Sequence, residues 1–423
     1  MNFPSEVGEP VVFMIDPEAS PPLRHEVTPR FSWGTKLNLE FRLRDNRDLR
    51  SNKDDLDTRT RGSLTIAGLY LSAPRVLEPR FEFFGELRIE RFVIQKEGKK
   101  RSNHETDADF RKGYLLWRHF LHPSLQLKVG RQKFRDFREW IYDENLDAIR
   151  IIYEDDPLEL HLSYSTNLFD PDKPKDKIKN VILHGIYKVW KKDKAAAYII
   201  DRRGRRDDDD PPFHLTHVGV SWKGKSLKRQ QYWLEAATVS GDEAGKDVRA
   251  YGFDVGWTAR FKHPLKPALT FAYAFGSGDA NPDDQRDRSF RQTGLQDNSA
   301  KLRGVIRIEQ YGELFEPELS NLMIGTFGIG FRPMKKGSLD IVFHHYHQVW
   351  SLQERKNPLR DAGIKADPNG ESRNLGNEVD LIFGWKVTKD FRLEAIAAVF
   401  RPGRAFSHKS AAFLGKIKIR LLL

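Results

Sequence analysis

The 423-residue chain has no cysteine, so it forms no disulfide and holds no thiolate metal site. It has no apolar run approaching the ~20 residues that a spanning helix needs, which excludes a helical membrane protein. Lys and Arg outnumber Asp and Glu by 71 to 60, yet no basic tail and no RNP, zinc-finger or helix-turn-helix pattern is present, which argues against nucleic acid as partner. Nucleophile elbow, P-loop and dinucleotide fingerprint are also missing. No enzyme and no cofactor are therefore expected. No Pro- or Gly-rich linker divides the chain, so residues 1–423 are read as one domain.

What is present is a period of two. Leu37, Leu39, Phe41 and Leu43 alternate with Lys36, Asn38, Glu40, Arg42 and Arg44. Tyr251, Phe253, Val255 and Trp257 alternate with Gly252, Asp254, Gly256 and Thr258, and Ile417, Ile419 and Leu421 with Lys416, Lys418 and Arg420. Successive side chains of a strand point to opposite faces, so each segment has one apolar face and one wet, often charged face. A soluble β-sandwich also alternates; length and punctuation favour a barrel crossing a membrane. Strands are predicted at 33–44, 58–71, 80–95, 110–121, 125–131 and 147–153. They continue at 158–167, 180–190, 194–201, 213–222, 227–239 and 249–261, and then at 268–277, 320–332, 338–349, 377–387, 391–400 and 410–422. Tight joints rich in Pro, Gly, Asp and Lys, such as 121–124, 154–157 and 387–390, alternate with long polar connections at 96–109, 168–179, 202–212, 278–319 and 350–376.

Short turns on one rim and long loops on the other are the pattern of an outer-membrane barrel. The expected fold is all-β, a transmembrane antiparallel up-and-down barrel of about eighteen strands with both termini on the short-turn rim. A barrel of that size is wide enough for an aqueous channel. Aromatics near strand ends, including Trp33, Trp117, Trp190, Trp222, Trp257, Trp350 and Trp385, suit interfacial girdles. The chain begins Met-Asn-Phe-Pro-Ser-Glu, without an apolar signal core. A barrel must be exported, so this is read as a mature chain with an added start Met.

The formal net charge is +11, and the basic residues lie mostly at polar strand positions. That points to a positive inner surface. The inward face offers Lys36, Arg42, Arg44, Arg88, Arg118 and Arg150, with Glu82, Glu86 and Glu90 among them. Arg131 and Lys133 break the pattern: they share parity with Leu125, Leu127 and Val129, where a charge facing lipid costs ~2–4 kcal/mol at the midplane. Either the strand ends at Gly130 or a bulge there re-aims it. Asp143 and Asn145 would then sit on a loop folded toward the lumen, and Arg307 in a long connection that folds on itself or into the pore. His345 and His347 alternate outward with Leu339, Ile341 and Phe343 while His344 faces inward, so a rim position is favoured over a metal site. Asp207 to Asp210 reads as a solvated loop tip. Glu82 with Glu86, and Asp254 near Glu235, are charged-face pairs rather than a glycosidase dyad.

Several segments resemble the alginate export family of outer-membrane porins. They are Asp45-Asn46-Arg47-Asp48-Leu49, Val129-Gly130-Arg131-Gln132-Lys133-Phe134-Arg135, Asp143-Glu144-Asn145-Leu146-Asp147, Gln292-Thr293-Gly294-Leu295-Gln296-Asp297-Asn298, Tyr311-Gly312-Glu313-Leu314-Phe315 and Phe400-Arg401-Pro402-Gly403. The resemblance implies an eighteen-stranded barrel that passes an anionic uronate polysaccharide outward through a constricted, positive pore. It implies pore roles for Arg118, Arg131, Lys133, Asp143, Asn145 and Arg307. Lys133 stands where the family usually has arginine, keeping the charge but losing the bidentate fork. Asn38 stands at a pore-lysine position, and Glu394 at a pore-arginine position with Arg392 two residues away. The chain ends on Leu423, not on the terminal aromatic usual for such barrels.

The expected location is the bacterial outer membrane. The expected partners are an alginate-like polysaccharide, membrane lipid and lipopolysaccharide, and a periplasmic export partner. Two other readings stay open: a general anion-selective porin for small solutes, and a soluble β-rich carbohydrate-active protein.

Overall fold

The computed structural model describes residues 20–50, 56–74, 78, 80–96, 103–166, 178–205, 211–302, 304–351, 359 and 363–423. The acidic run Asp207 to Asp210 lies outside them. Eighteen strands form the wall. The first six are β1 (Phe31–Asp45), β2 (Asp57–Leu71), β3 (Phe81–Lys96), β4 (Asn103–Arg118), β5 (Leu125–Arg135) and β6 (Asp143–Asp155). Next come β7 (Leu158–Thr166), β8 (Lys179–Trp190), β9 (Asp193–Gly204), β10 (Phe213–Gly224), β11 (Gln230–Glu243) and β12 (Lys246–Arg260). The last are β13 (Ala268–Gly276), β14 (Leu322–Phe331), β15 (Gly337–Gln348), β16 (Asn374–Lys386), β17 (Phe391–Pro402) and β18 (Ala412–Leu422).

Each strand pairs antiparallel with the next, and β18 returns to β1 from Lys36↔Leu422 to Asp45↔Phe413. Thr35 and Leu423 exchange two backbone hydrogen bonds (3.2 and 3.0 Å) at this seam. Closure leaves no unpaired edge, the condition for a sheet to survive in lipid. The barrel is as expected in type and strand number.

The wall sorts its side chains by parity. Leu39 and Phe41 face outward at 46% and 45% exposure, whereas Lys36 on the other face is buried at 6%. Outward aromatics gather at the short-turn rim: Trp190 meets Trp222 edge-on at 5.7 Å, and Trp117 packs on Phe81 and Phe120 at 5.4 and 4.9 Å. This rim faces the periplasm, since outer-membrane barrels keep their short turns there. The opposite rim carries the 277–321 and 349–373 connections, although Ala244–Gly245 joins β11 to β12 in two residues.

Several strands extend further than expected at the long-loop end. β4 begins at Asn103 rather than 110, because Asn103 to Asp109 is polar on both faces and carries no apolar alternation. β5 runs on to Arg135 and β6 starts at Asp143, for the reason given next.

Candidate functional site

The lumen is shaped by one glycine. The β5–β6 ladder runs without a register shift through Gly130↔Ala148 to Arg135↔Asp143. The β4–β5 ladder, by contrast, stops at Gly113↔Arg131, and β7 accompanies β6 only as far as Asp147. At the parting point Gly130 has φ +119°, and a Cβ there would lie 2.2 Å from the Gly113 carbonyl oxygen. Only glycine serves both demands. The strand therefore neither ends nor bulges at Gly130, as had been expected. A left-handed φ re-aims it, and the upper hairpin leaves the wall for the interior. Arg131 and Lys133 are thereby spared the lipid. Asp143 and Asn145 do face the lumen, on the first residues of β6 rather than on a loop.

The hairpin tip, 136–142, is tied by Asp136. Its Oδ1 accepts the amides of Ile141 and Tyr142 (2.9 Å each) and its Oδ2 that of Arg138 (3.1 Å). The tip packs against the 277–321 connection. Trp140, Ile141, Phe290, Leu295, Ile308 and Leu314 are all buried in one apolar cluster with inward wall residues Ile324, Ile382 and Phe400. Polar ties fix the cluster to the wall. Arg138 donates to Asp254 at 2.7 Å and lies 4.2 Å over the Trp233 ring. Trp140 donates to the Tyr311 hydroxyl (2.9 Å), which donates to Asp254 (2.8 Å). Lys416 donates to Glu313 (2.9 Å), and Glu378 accepts the Leu314 amide (2.8 Å). Hairpin and loop together plug one side of the barrel.

A cavity of about 260 Å³ remains between the other face of the hairpin and β1–β4 with β18. It lies just under the lower limit of ordinary ligand pockets, about 300 Å³. Nine of its sixteen lining residues are Lys or Arg; Glu40, Glu86 and Asp143 are its acids. Behind the lining, Glu90 accepts from Arg61 (2.6 Å), Asp109 from Arg88 (2.9 Å) and Glu139 from Arg135, so cations outnumber carboxylates nine to six. Lys133 donates to Asp143 (2.8 Å) and Arg135 meets the same carboxylate at 3.1 Å. Arg420 donates to Asn38 (3.2 Å), directly across the seam.

Of the residues expected in the pore, Lys36, Arg88, Lys133, Asp143 and Asn145 line this cavity. The others lie elsewhere. Arg42 and Arg44 sit higher on β1, near Arg47, Asp57 and Glu316. Arg118 is buried against Glu82 (2.5 Å) and Arg131 against Asp147 (3.2 Å). Arg150 stacks 4.7 Å from Phe134 and faces a second cavity of about 280 Å³ with Tyr142, His161 and His184. Arg307 meets Glu139 at 2.7 Å inside the plug, and Arg392 pairs with Glu394 at 3.6 Å near the periplasmic rim.

The expectations passed over Arg61, Arg111, Lys112, Arg135, Lys418 and Arg420. Parity alone offers Arg61, Lys418 and Arg420. Arg111 and Lys112 both reach the cavity because the β3–β4 ladder skips Arg111, pairing Glu86 with Lys112 and Leu87 with Phe110. Such a bulge sends consecutive residues to one side. Arg135 is legible only once the turn at Gly130 is known.

Glu139 anchors the hairpin to the loop. Its carboxylate meets Arg135 and Arg307, and its carbonyl accepts the Asp297 and Asn298 amides (2.9 Å each). Burial, with Asp143 nearby, pushes its acid up to about 8, and Asp297 is raised for the same two reasons. These three carboxylates approach within 4.8 Å, but Lys133, Arg135 and Arg307 already balance them. Among the histidines, His344 is buried beside Thr326 (2.9 Å), while His345 and His347 face outward as expected.

A closed eighteen-stranded wall, apolar outside and carrying charge within, defines an outer-membrane barrel of the porin kind. Structural likeness agrees. Pseudomonas aeruginosa OccK11 (OpdR) superposes with a TM-score of 0.58 at 13% identity, covering 93% of this chain and 96% of that one. Pseudomonas aeruginosa OprD gives 0.55 at 11%, covering 92% and 93%. At such identities the likeness speaks for the fold alone.

The family model described as Alginate export matches residues 30–417, and the chain belongs to that family. It is 26% identical over 360 residues to "Alginate production protein AlgE" of Pseudomonas aeruginosa, covering 72% of this chain and 70% of the relative. The protein of the same name from Pseudomonas syringae pv. tomato is 22% identical over 478 residues, covering 90% and 91%. The protein is thus an alginate export family barrel of the bacterial outer membrane.

Proposed function

We propose that the chain exports an anionic uronate polysaccharide, alginate or a close relative, through the cationic cavity, by electrostatically guided diffusion and without catalysis. The observation that carries this reading is the nine-to-six excess of cations around a narrow space bounded by the hairpin. A polymer with a carboxylate on each sugar needs many weak positive contacts, strong enough to recruit and weak enough to release. Arg61, Arg88, Arg111, Arg135 and Arg420 supply planar paired donors, and Lys36, Lys112, Lys133 and Lys418 supply point charges. Contacts with fewer carboxylates than there are cations hold several of these side chains in place while leaving a net positive field. A position that has lost its cation, Asn38, lies opposite Arg420, so charge is supplied from the neighbouring strand.

Planar-bilayer recording tests the reading. Expected are small conductance, anion selectivity, and block by mannuronate or guluronate oligomers but not by neutral oligosaccharides of equal length. Anion selectivity with free conductance and no block by uronates would point to a general porin for small anions. Cation selectivity would remove the electropositive pore.

A further inference from the structure

The outer wall carries a feature that transport through the lumen does not use. At one depth near the extracellular rim, the outward positions of four successive strands are Gly325 on β14, His345 on β15, Asn377 on β16 and Arg401 on β17. Asn377 Oδ1 accepts from His345 Nδ1 (2.5 Å), and the Nε2 atoms of His345 and His347 lie 2.7 Å apart. Arg373, whose carbonyl accepts the Gln348 amide (2.8 Å), stands just above and lies 5.3 Å over the Trp350 ring. Arg373 and Arg401 are exposed. No carboxylate occupies an outward position on the described parts of β14–β17 at this level. Among the described residues none of His345, His347, Arg373 and Arg401 makes an ion pair. On other sectors of the same rim some outward basic residues do find acids, His214 meeting Asp201 at 2.6 Å and Arg249 meeting Asp247 at 3.0 Å.

Beside this row, and meeting it at Gly325 and His345, an apolar groove of about 680 Å³ runs across β11–β15. It passes from Tyr232 and Trp257 over Phe271 and Phe327 to Phe343. A Cβ on Gly325 would meet no atom within 4 Å, so the groove is open where the side chain is missing. The groove faces hydrocarbon and the cations stand at headgroup level. The periplasmic ends of several strands carry tryptophan clusters such as Trp190 with Trp222, the usual anchor for a phospholipid interface. A groove for an acyl chain beside two exposed arginines that have no acid partner among the described residues fits a lipid that carries phosphate directly above several chains.

We propose that the face formed by β11–β17 binds a phosphorylated glycolipid of the outer leaflet. One acyl chain lies in the groove over Gly325, and a phosphate is held by Arg373 and Arg401 beside the His345–His347 pair. This rests on the outer-membrane location and not on the identity of the transported polymer.

The test uses the full-length barrel, purified in neutral detergent and stripped of lipid. Binding of bisphosphorylated lipid A is followed by native mass spectrometry and by the thermal midpoint. Expected is a one-to-one adduct and a raised midpoint with the bisphosphorylated form, with binding at least tenfold weaker for dephosphorylated lipid A and for a zwitterionic phospholipid. The double variant Arg373→Glu, Arg401→Glu should lose at least tenfold in affinity. Gly325→Leu, which fills the groove without a backbone clash, should do the same, while uronate block of the channel stays unchanged in both. Equal binding of phosphorylated and dephosphorylated lipid on the unaltered protein would overturn the proposal. So would equal protection by inorganic phosphate alone, or unchanged binding in both variants. The ligand comparisons need no variant, so the proposal remains falsifiable if a variant fails to close.

Discussion

The two sides of the barrel interior are built from the same alternating strands and end up as opposites. Along β1–β4 and β18 the inward residues are Lys36, Arg61, Arg88, Lys112 and Lys418, around open space. Along β14–β17 they include Ile324, Val342, Ile382 and Ala398, sealed under Leu314, Phe315 and Leu319 of the 277–321 connection. Strand parity sets which side chains point inward; it does not set what they meet there. The plug decides that. By occupying one side it confines the remaining space to the cationic wall, and a wide barrel becomes a narrow one.

The sharpest way to break this contrast is to cut the plug from the wall. Arg138 and Asp254 form a fully buried pair, and removing one partner strands the other as a buried charge, a loss of ~3–5 kcal/mol. Arg138→Ala is expected to free the plug. Single-channel conductance should then rise several-fold and uronate block should weaken; unchanged conductance would show that the plug does not depend on this pair. Next is the pivot. Gly130→Ala forces a side chain into a left-handed φ and onto the Gly113 carbonyl, a strain of at least ~1–3 kcal/mol. The hairpin should lose its inward path, which proteolysis at 136–142 in the closed barrel would detect.

Charge reversal sharpens the contrast on the wet side. Arg88→Glu is expected to lower anion-over-cation permeability severalfold, measured by reversal potential. Arg118→Gln, away from the cavity and paired with Glu82, should leave selectivity unchanged while lowering thermal stability. The reverse order of the two would relocate the selective region to Arg118.

The smallest effect concerns pH. A Glu139 acid raised to about 8 binds its proton in the folded plug well above the ordinary carboxyl range. Its contribution to docking is therefore complete below about pH 4.5 and is lost as pH rises through about 8. Channel noise should increase between pH 6 and pH 9, and Glu139→Gln should flatten that dependence.

Much of the wall was legible in the sequence because a half-wet strand must alternate, and Leu39, Phe41, Ile417 and Ile419 do so without interruption. The sector from Lys36 to Arg88 was legible for the same reason. Arg135 and Arg111 were not: each depends on a local break in parity, one from a glycine dihedral and one from a bulge, and neither leaves a periodic trace. Arg118 and Arg150 have the right parity, and Arg131 turns inward only past Gly130, yet all three are spent on Glu82, Phe134 and Asp147 respectively, contacts set by three-dimensional neighbours. The plug was least legible. Trp140, Leu314 and Phe315 follow no period, since a segment packed inside a barrel answers to its surroundings and not to a strand face.

The seam between β1 and β18 has one more effect. Lys36 and Asn38 belong to the beginning of the chain, and Lys418 and Arg420 to its last six residues. They become neighbours only when the two ends of the polypeptide zip together. The cavity they line is therefore complete only in the closed barrel. A barrel left open at this seam would lack the Lys418 and Arg420 side of that lining.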